Sequence, residues 1–169
     1  DTSKAIDYSI VNPAKLPMEL QTDLCARCHL QGTMVLQPGK SFYDFKPGMK
    51  LDDVMDIFMP EFKGGKEDYI MASHYERMIQ SKCYVESGGQ FTCTDCHNPH
   101  ISRKETPTKK YNRLCADCHH DESASCSLQA SKRNEQSNNC VGCHIIAGST
   151  RDIPHVLSHD HKIRIPQTP

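Results

Sequence analysis

Hydrophobic positions in this chain are sparse and fall into short segments. Apolar residues recur at helical spacing near Met18–Cys28, Leu51–Phe58 and Glu67–Lys82, so helices are expected there. Pro60 closes the second. The third contains no Gly or Pro and puts Ile70, His74 and Met78 on one face at i, i+4 and i+8. Gly32, Pro38-Gly39, Pro47-Gly48 and Gly64-Gly65 interrupt the pattern elsewhere, as turn residues do. The expected fold is mainly α, with extensive loops and little or no sheet.

One short pattern, C-x-x-C-H, changes this picture because it occurs four times. It reads Cys25-Ala-Arg-Cys28-His29, Cys93-Thr-Asp-Cys96-His97, Cys115-Ala-Asp-Cys118-His119 and Cys140-Val-Gly-Cys143-His144. C-x-x-C-H is the attachment signal for c-type haem. The two thiols form thioethers with the porphyrin and the following histidine binds the iron. A lone C-x-x-C also suits zinc or dithiol redox chemistry, and Cys93–Cys118 falls within the zinc-ribbon spacing window. Neither alternative needs a histidine directly after each pair, whereas all four pairs here have one. Four haem c groups are therefore expected, held by eight of the ten cysteines, with four of the ten histidines as proximal ligands. Each motif should occupy a short helical turn.

Composition fits a thin wrapper around large cofactors. The 169 residues include no Trp and only 7% aromatics, and the mean hydropathy is −0.63. A chain of this length ordinarily builds a larger apolar core of its own. The porphyrins are expected to supply that apolar body, so the fold becomes a single tetrahaem domain over residues 1–169 wrapped around four covalent haems. Without haem the chain is expected to be largely unfolded. The formal net charge of −1 omits the haem propionates. The basic pairs Lys46/Lys50, Arg103/Lys104 and Lys109/Lys110 read first as solvated surface and second as docking points for a redox partner. Nothing indicates nucleic-acid binding, and no apolar run is long enough to span a membrane. The chain begins at Asp1 without Met, which fits a processed or truncated product. Bacteria attach haem to C-x-x-C-H outside the cytoplasmic membrane, so the expected location is periplasmic, cell-surface or extracellular.

Cys83 and Cys126 lie outside the motifs. An even remainder in an oxidising compartment predicts a disulfide between them, with two buried free thiols as the alternative. Six histidines also remain: His74, His100, His120, His155, His159 and His161. Their number suffices to close the second face of every iron. His74 shares its apolar face with Met78, a competing ligand. His100 follows the Asn98-Pro99 turn and is better aimed at a neighbouring haem than at its own; the alternative is a surface turn residue. Two of His155, His159 and His161 would complete the set, and the pattern alone leaves the choice open. His120 ranks lowest because its backbone is held against its own haem.

Several segments resemble one family. They are Val11-Asn-Pro, Leu24-Cys-Ala-Arg-Cys-His-Leu-Gln-Gly32, Asp44-Phe-Lys-Pro-Gly48, Gln80-Ser-Lys-Cys-Tyr84, Cys96-His-Asn-Pro-His100 and the Asp160-His161 ending. The chain resembles bacterial multihaem cytochromes with doubled C-x-x-C-H motifs, which are often fused to tetratricopeptide repeats. It is more distantly similar to cytochromes grouped with hydroxylamine oxidoreductase and octahaem tetrathionate reductase. The likeness runs from about Asp7 to Pro166, and relatives often carry further motifs upstream. It implies distal-ligand roles for His74, His100, His155 and His161. His159 stands where relatives commonly have threonine.

The expected function is electron transfer through four closely spaced, mostly bis-histidine haems. Redox proteins are the expected partners. One alternative is a subunit of a conductive filament or larger redox complex, with self-association. Another is a haem enzyme acting on a small nitrogen or sulfur compound at an open iron. The surplus of histidines and the lack of a C-x-x-C-K motif argue against the enzyme.

Overall fold

Helix α1 (Met18–His29) ends on the first C-x-x-C-H, one residue beyond the expected boundary. In this computed structural model the described residues are 10–59, 61, 70–120 and 126–166. Ala26 of α1 is buried against Leu51, Val54 and Met55, and Leu30, Met34, Leu36, Phe45, Met49, Ile57 and Tyr75 pack around them. This small cluster anchors the first motif to the long segment that follows it.

The Leu51–Phe58 segment departs from the expected helix. Leu51–Asp53 forms one 3-10 turn, and Met55–Phe58 is strand β2, paired antiparallel with β1 (Thr33–Leu36). The register sets Met34 opposite Ile57 and Leu36 opposite Met55. Leu51, Val54, Met55 and Phe58 do have helical spacing, which is why the pattern reads as a helix. Local polar bonds cap the start of that turn. The Asp53 carboxylate accepts the Lys50 N–H at 3.3 Å, and the Asp23 carboxylate accepts the Leu51 N–H at 3.1 Å. The partner strand then captures the remainder, and β2 alternates from buried Met55 to exposed Asp56 to half-buried Ile57. A tertiary partner outweighs local periodicity.

The expected Glu67–Lys82 helix is also divided. Its start lies outside the described residues. Beyond it come helix α2 (His74–Met78) and helix α3 (Lys82–Glu86), with buried Ser81 between them. Ser81 is extended, and its hydroxyl accepts the Tyr84 N–H at 3.2 Å, so it caps α3 rather than continuing α2.

The other motifs lie on helical turns, as expected. Helix α4 (Cys93–Cys96) carries the second, the end of α5 (Thr108–Cys118) the third, and α7 (Cys140–His144) the fourth. A short helix α6 (Ala130–Glu135) precedes α7. Strands β3 (Ala147–Ser149) and β4 (Leu157–His159) form a second antiparallel pair, with His159 opposite Ala147. Among the described residues the fold is thus mainly helical with long loops and two small two-stranded sheets. No helix among the described residues is long and apolar enough to cross a membrane.

The segment after β4 is stitched back onto α2 and α3. Asp160 pairs with Arg77, the Lys162 Nζ donates to the Gln80 Oε1 at 2.9 Å, and the Lys82 N–H donates to the Ile163 carbonyl at 3.3 Å. The C-terminal part of the chain is thereby carried to the helix that bears His74.

Candidate functional site

The motif helices pack in chain order: α1 against α4, α4 against α5, and α5 against α7. Polar side chains tie these steps together. The Thr94 hydroxyl donates to the Gln21 Oε1 at 2.8 Å, joining α4 to α1. The Asn112 Oδ1 accepts the Val141 N–H at 3.0 Å, joining α5 to α7. Asn139 caps α7 by accepting the Gly142 N–H at 3.1 Å. A side chain at position 142 would press on Asn139, so this inner motif position suits glycine.

The thiols follow the same order. Cys25 and Cys93 are neighbouring thiols, and their interaction lowers Cys25 and raises Cys93. Burial and the neighbouring Cys115 push Cys96 up to about 11. Burial and the neighbouring Cys140 push Cys115 up to about 11. Motif one therefore adjoins motif two, two adjoins three, and three adjoins four.

Four histidines from distant parts of the chain converge. The ring centroids of His29 and His74 lie 5.2 Å apart, those of His74 and His161 4.7 Å, and those of His97 and His161 6.1 Å. Two of the four end C-x-x-C-H motifs, and two do not. Tyr111 of α5 leans on His97 at 5.5 Å. Burial holds His74 and His97 below the usual imidazole range. Burial, with His74 beside it, lowers His161 to about 4. At neutral pH these three rings are uncharged and keep a lone pair for a metal.

The hydrogen bonds of the rings fit the same chemistry. The His161 Nδ1 is 2.9 Å from the His159 carbonyl, which can only accept, so Nδ1 carries the proton and Nε2 the lone pair. The His144 Nδ1 is likewise 2.9 Å from the Arg164 carbonyl. Bonds of this kind fix the tautomer of metal-binding histidines. The His74 Nδ1 is buried without a hydrogen-bond partner, and so is the Glu76 Oε2 on the same helix. Neutral imidazoles beside paired thiols form a donor set that suits covalent haem. Among the described residues, no three His, Cys, Asp or Glu side chains converge as the ligands of a bare metal ion.

The remaining expected site residues stand apart from this cluster. His119 is exposed at the end of α5, and His120 is exposed with its Nδ1 2.9 Å from the Asp117 carbonyl. His100 is exposed in the expected turn, where the Asn98 Oδ1 accepts its backbone N–H at 3.0 Å. His155 is exposed and has φ of +63°, in the left-handed region. Met78 is buried with its sulfur 3.9 Å from the Cys93 thiol, so it packs on the second motif.

Cys83 and Cys126 are both free thiols, so the expected bridge is not formed in this structure. Cys126 is exposed. Cys83 is half-buried, and burial with neighbouring Cys118 raises its pKa. It also acts electrostatically on Cys96 and Cys115, which places it among the thiols of motifs two and three.

Two functional features lie beyond the sequence reading: the Arg77–Asp160 pair and the asparagine links around α7. Only the position of Asp160 directly before His161 offered a signal.

Residues 85–124, which hold the second and third motifs, match the family model described as "Doubled CXXCH motif". No curated protein and no solved structure matches the chain. The motif match supports a multihaem c-type cytochrome family, with covalently bound haem c and electron transfer as its general chemistry.

Proposed function

We propose that this chain is an electron carrier with four haem c groups arranged in the order of their motifs. His29, His97, His119 and His144 are the proximal ligands in this reading. His74 is the distal partner of His29, and His161 the distal partner of His97. His100 and His155 serve the other two irons, a role that rests on the family resemblance. The observation that carries the proposal is the convergence of His29, His74, His97 and His161.

Bound haem supplies a one-electron iron couple. The residues of this chain have simpler tasks. The cysteines fix the position and orientation of each group. The histidines hold neutral nitrogen donors in place, and the carbonyls of His159 and Arg164 keep two of those rings in one tautomer. A site closed on both faces excludes small ligands, which favours a carrier over an enzyme. The succession of neighbouring motif thiols supports passage of electrons from motif one to motif four. Attachment of haem to C-x-x-C-H supports a periplasmic or cell-surface setting with redox proteins as partners.

Haem counting and spin-state spectroscopy test the proposal. Four low-spin haems per chain and no carbon monoxide adduct after reduction are expected. A stoichiometric high-spin haem would contradict complete bis-histidine ligation.

A further inference from the structure

The clustered histidines are brought together by a contact that lies outside the motifs. Arg77 sits one turn after His74 on α2, and Asp160 directly precedes His161. The Arg77 Nε donates to the Asp160 Oδ1 at 2.8 Å, and its Nη2 donates to the Asp160 Oδ2 at 2.7 Å. This two-point bond joins segments far apart in sequence, and the side chains are only 7% and 10% exposed.

Asp160 is itself held on several sides. Its backbone N–H donates to the Ile146 carbonyl at 3.0 Å, which extends the β3–β4 pairing. Its Oδ1 also accepts the Lys162 N–H at 2.9 Å, bridging the backbone across His161. The Arg164 guanidinium approaches its Oδ2 at 3.5 Å. Residues on both sides of His161 are therefore fixed to one carboxylate, and that carboxylate is fixed to the helix carrying His74.

We propose that Arg77 and Asp160 are positioning residues that clamp His161 beside His74, so that both rings are held as distal ligands before and after electron transfer. This rests on the reading of His74 and His161 as ligands. A buried ion pair is weak evidence for stability by itself, because desolvation offsets its attraction. Its planar two-point geometry does specify orientation, which is what a ligand at the end of a strand pair needs. Lysine keeps the charge but cannot reproduce the fork.

Three substitutions and a reference variant test this in the haem-loaded protein. Arg77→Met and Asp160→Asn should each convert one haem from low spin to high spin, with all covalent haems retained by mass. Added imidazole should restore the low-spin spectrum. Arg77→Lys should keep a larger low-spin fraction than Arg77→Met. His161→Ala supplies the reference signal for one lost distal ligand. If Arg77→Met does not accumulate, Asp160→Asn, which preserves shape, carries the test. A merely structural pair would lower the melting temperature and leave the spin states unchanged, and that result overturns the proposal. If His161→Ala itself keeps every haem low-spin, the ligand reading falls and the clamp falls with it. If His161→Ala converts one haem and the Arg77 and Asp160 variants do not, only the clamp falls.

Discussion

The first two motifs and the last two share one sequence signal but sit in different surroundings. His29, exposed at the end of α1, and half-buried His97 meet half-buried His74 and His161 in one group of rings. His119 is exposed at a helix end, and His144 is tied to a backbone carbonyl 2.9 Å away. The attachment motif thus specifies where a cofactor is anchored, while the environment of its iron is set by distant segments. Near motifs one and two, α2 and the segment after β4 supply that environment. The histidines proposed as partners for motifs three and four, His100 and His155, lie at the surface and outside that ring group.

The largest effects should fall on this group of rings. His74→Ala and His161→Ala are each expected to cost one low-spin haem and open it to carbon monoxide, as read by electron paramagnetic resonance and absorption. His100→Ala and His155→Ala sharpen the contrast. Each should also lose one low-spin haem, with added imidazole restoring it faster because these positions are exposed. Equal restoration rates at all four positions would erase the difference between the two halves.

A smaller effect separates the apolar cluster from the ligand group. Met55 is fully buried beneath β1 and α1. Met55→Ala should destabilise the protein by about 2–5 kcal/mol in denaturant titration, with the low-spin count intact. A change of spin state would mean that this cluster also sets ligand geometry. The cap of α7 comes next. Asn139→Ala should cost about 1 kcal/mol and act on the motif-four end alone. The exposed Lys82–Glu86 pair, 3.2 Å apart, closes the series. Lys82→Ala should change stability by less than about 0.5 kcal/mol, as for most surface ion pairs.

Much of this organisation is legible in the sequence, because its signals are local. The C-x-x-C-H motifs, the α1 helix and the Asn98-Pro99 turn each need only a few consecutive residues. The departures have non-local causes. Leu51, Val54, Met55 and Phe58 keep helical spacing, yet β1 draws the second half into a strand. Ser81 interrupts an apolar helical face because its hydroxyl caps the next helix. His74 and His161 are visible as spare histidines, but their meeting depends on Arg77 reaching Asp160, 83 residues further along the chain. The even count of spare cysteines predicts a bridge. The fold instead sets the Cys83 thiol among those of motifs two and three and leaves Cys126 exposed.

The central claim is that imidazoles close both faces of every iron. Quantitative electron paramagnetic resonance of the oxidised, haem-loaded protein tests it most directly. Four low-spin ferric haems per chain and no high-spin signal are expected. One high-spin haem per chain in the unmodified protein would contradict it.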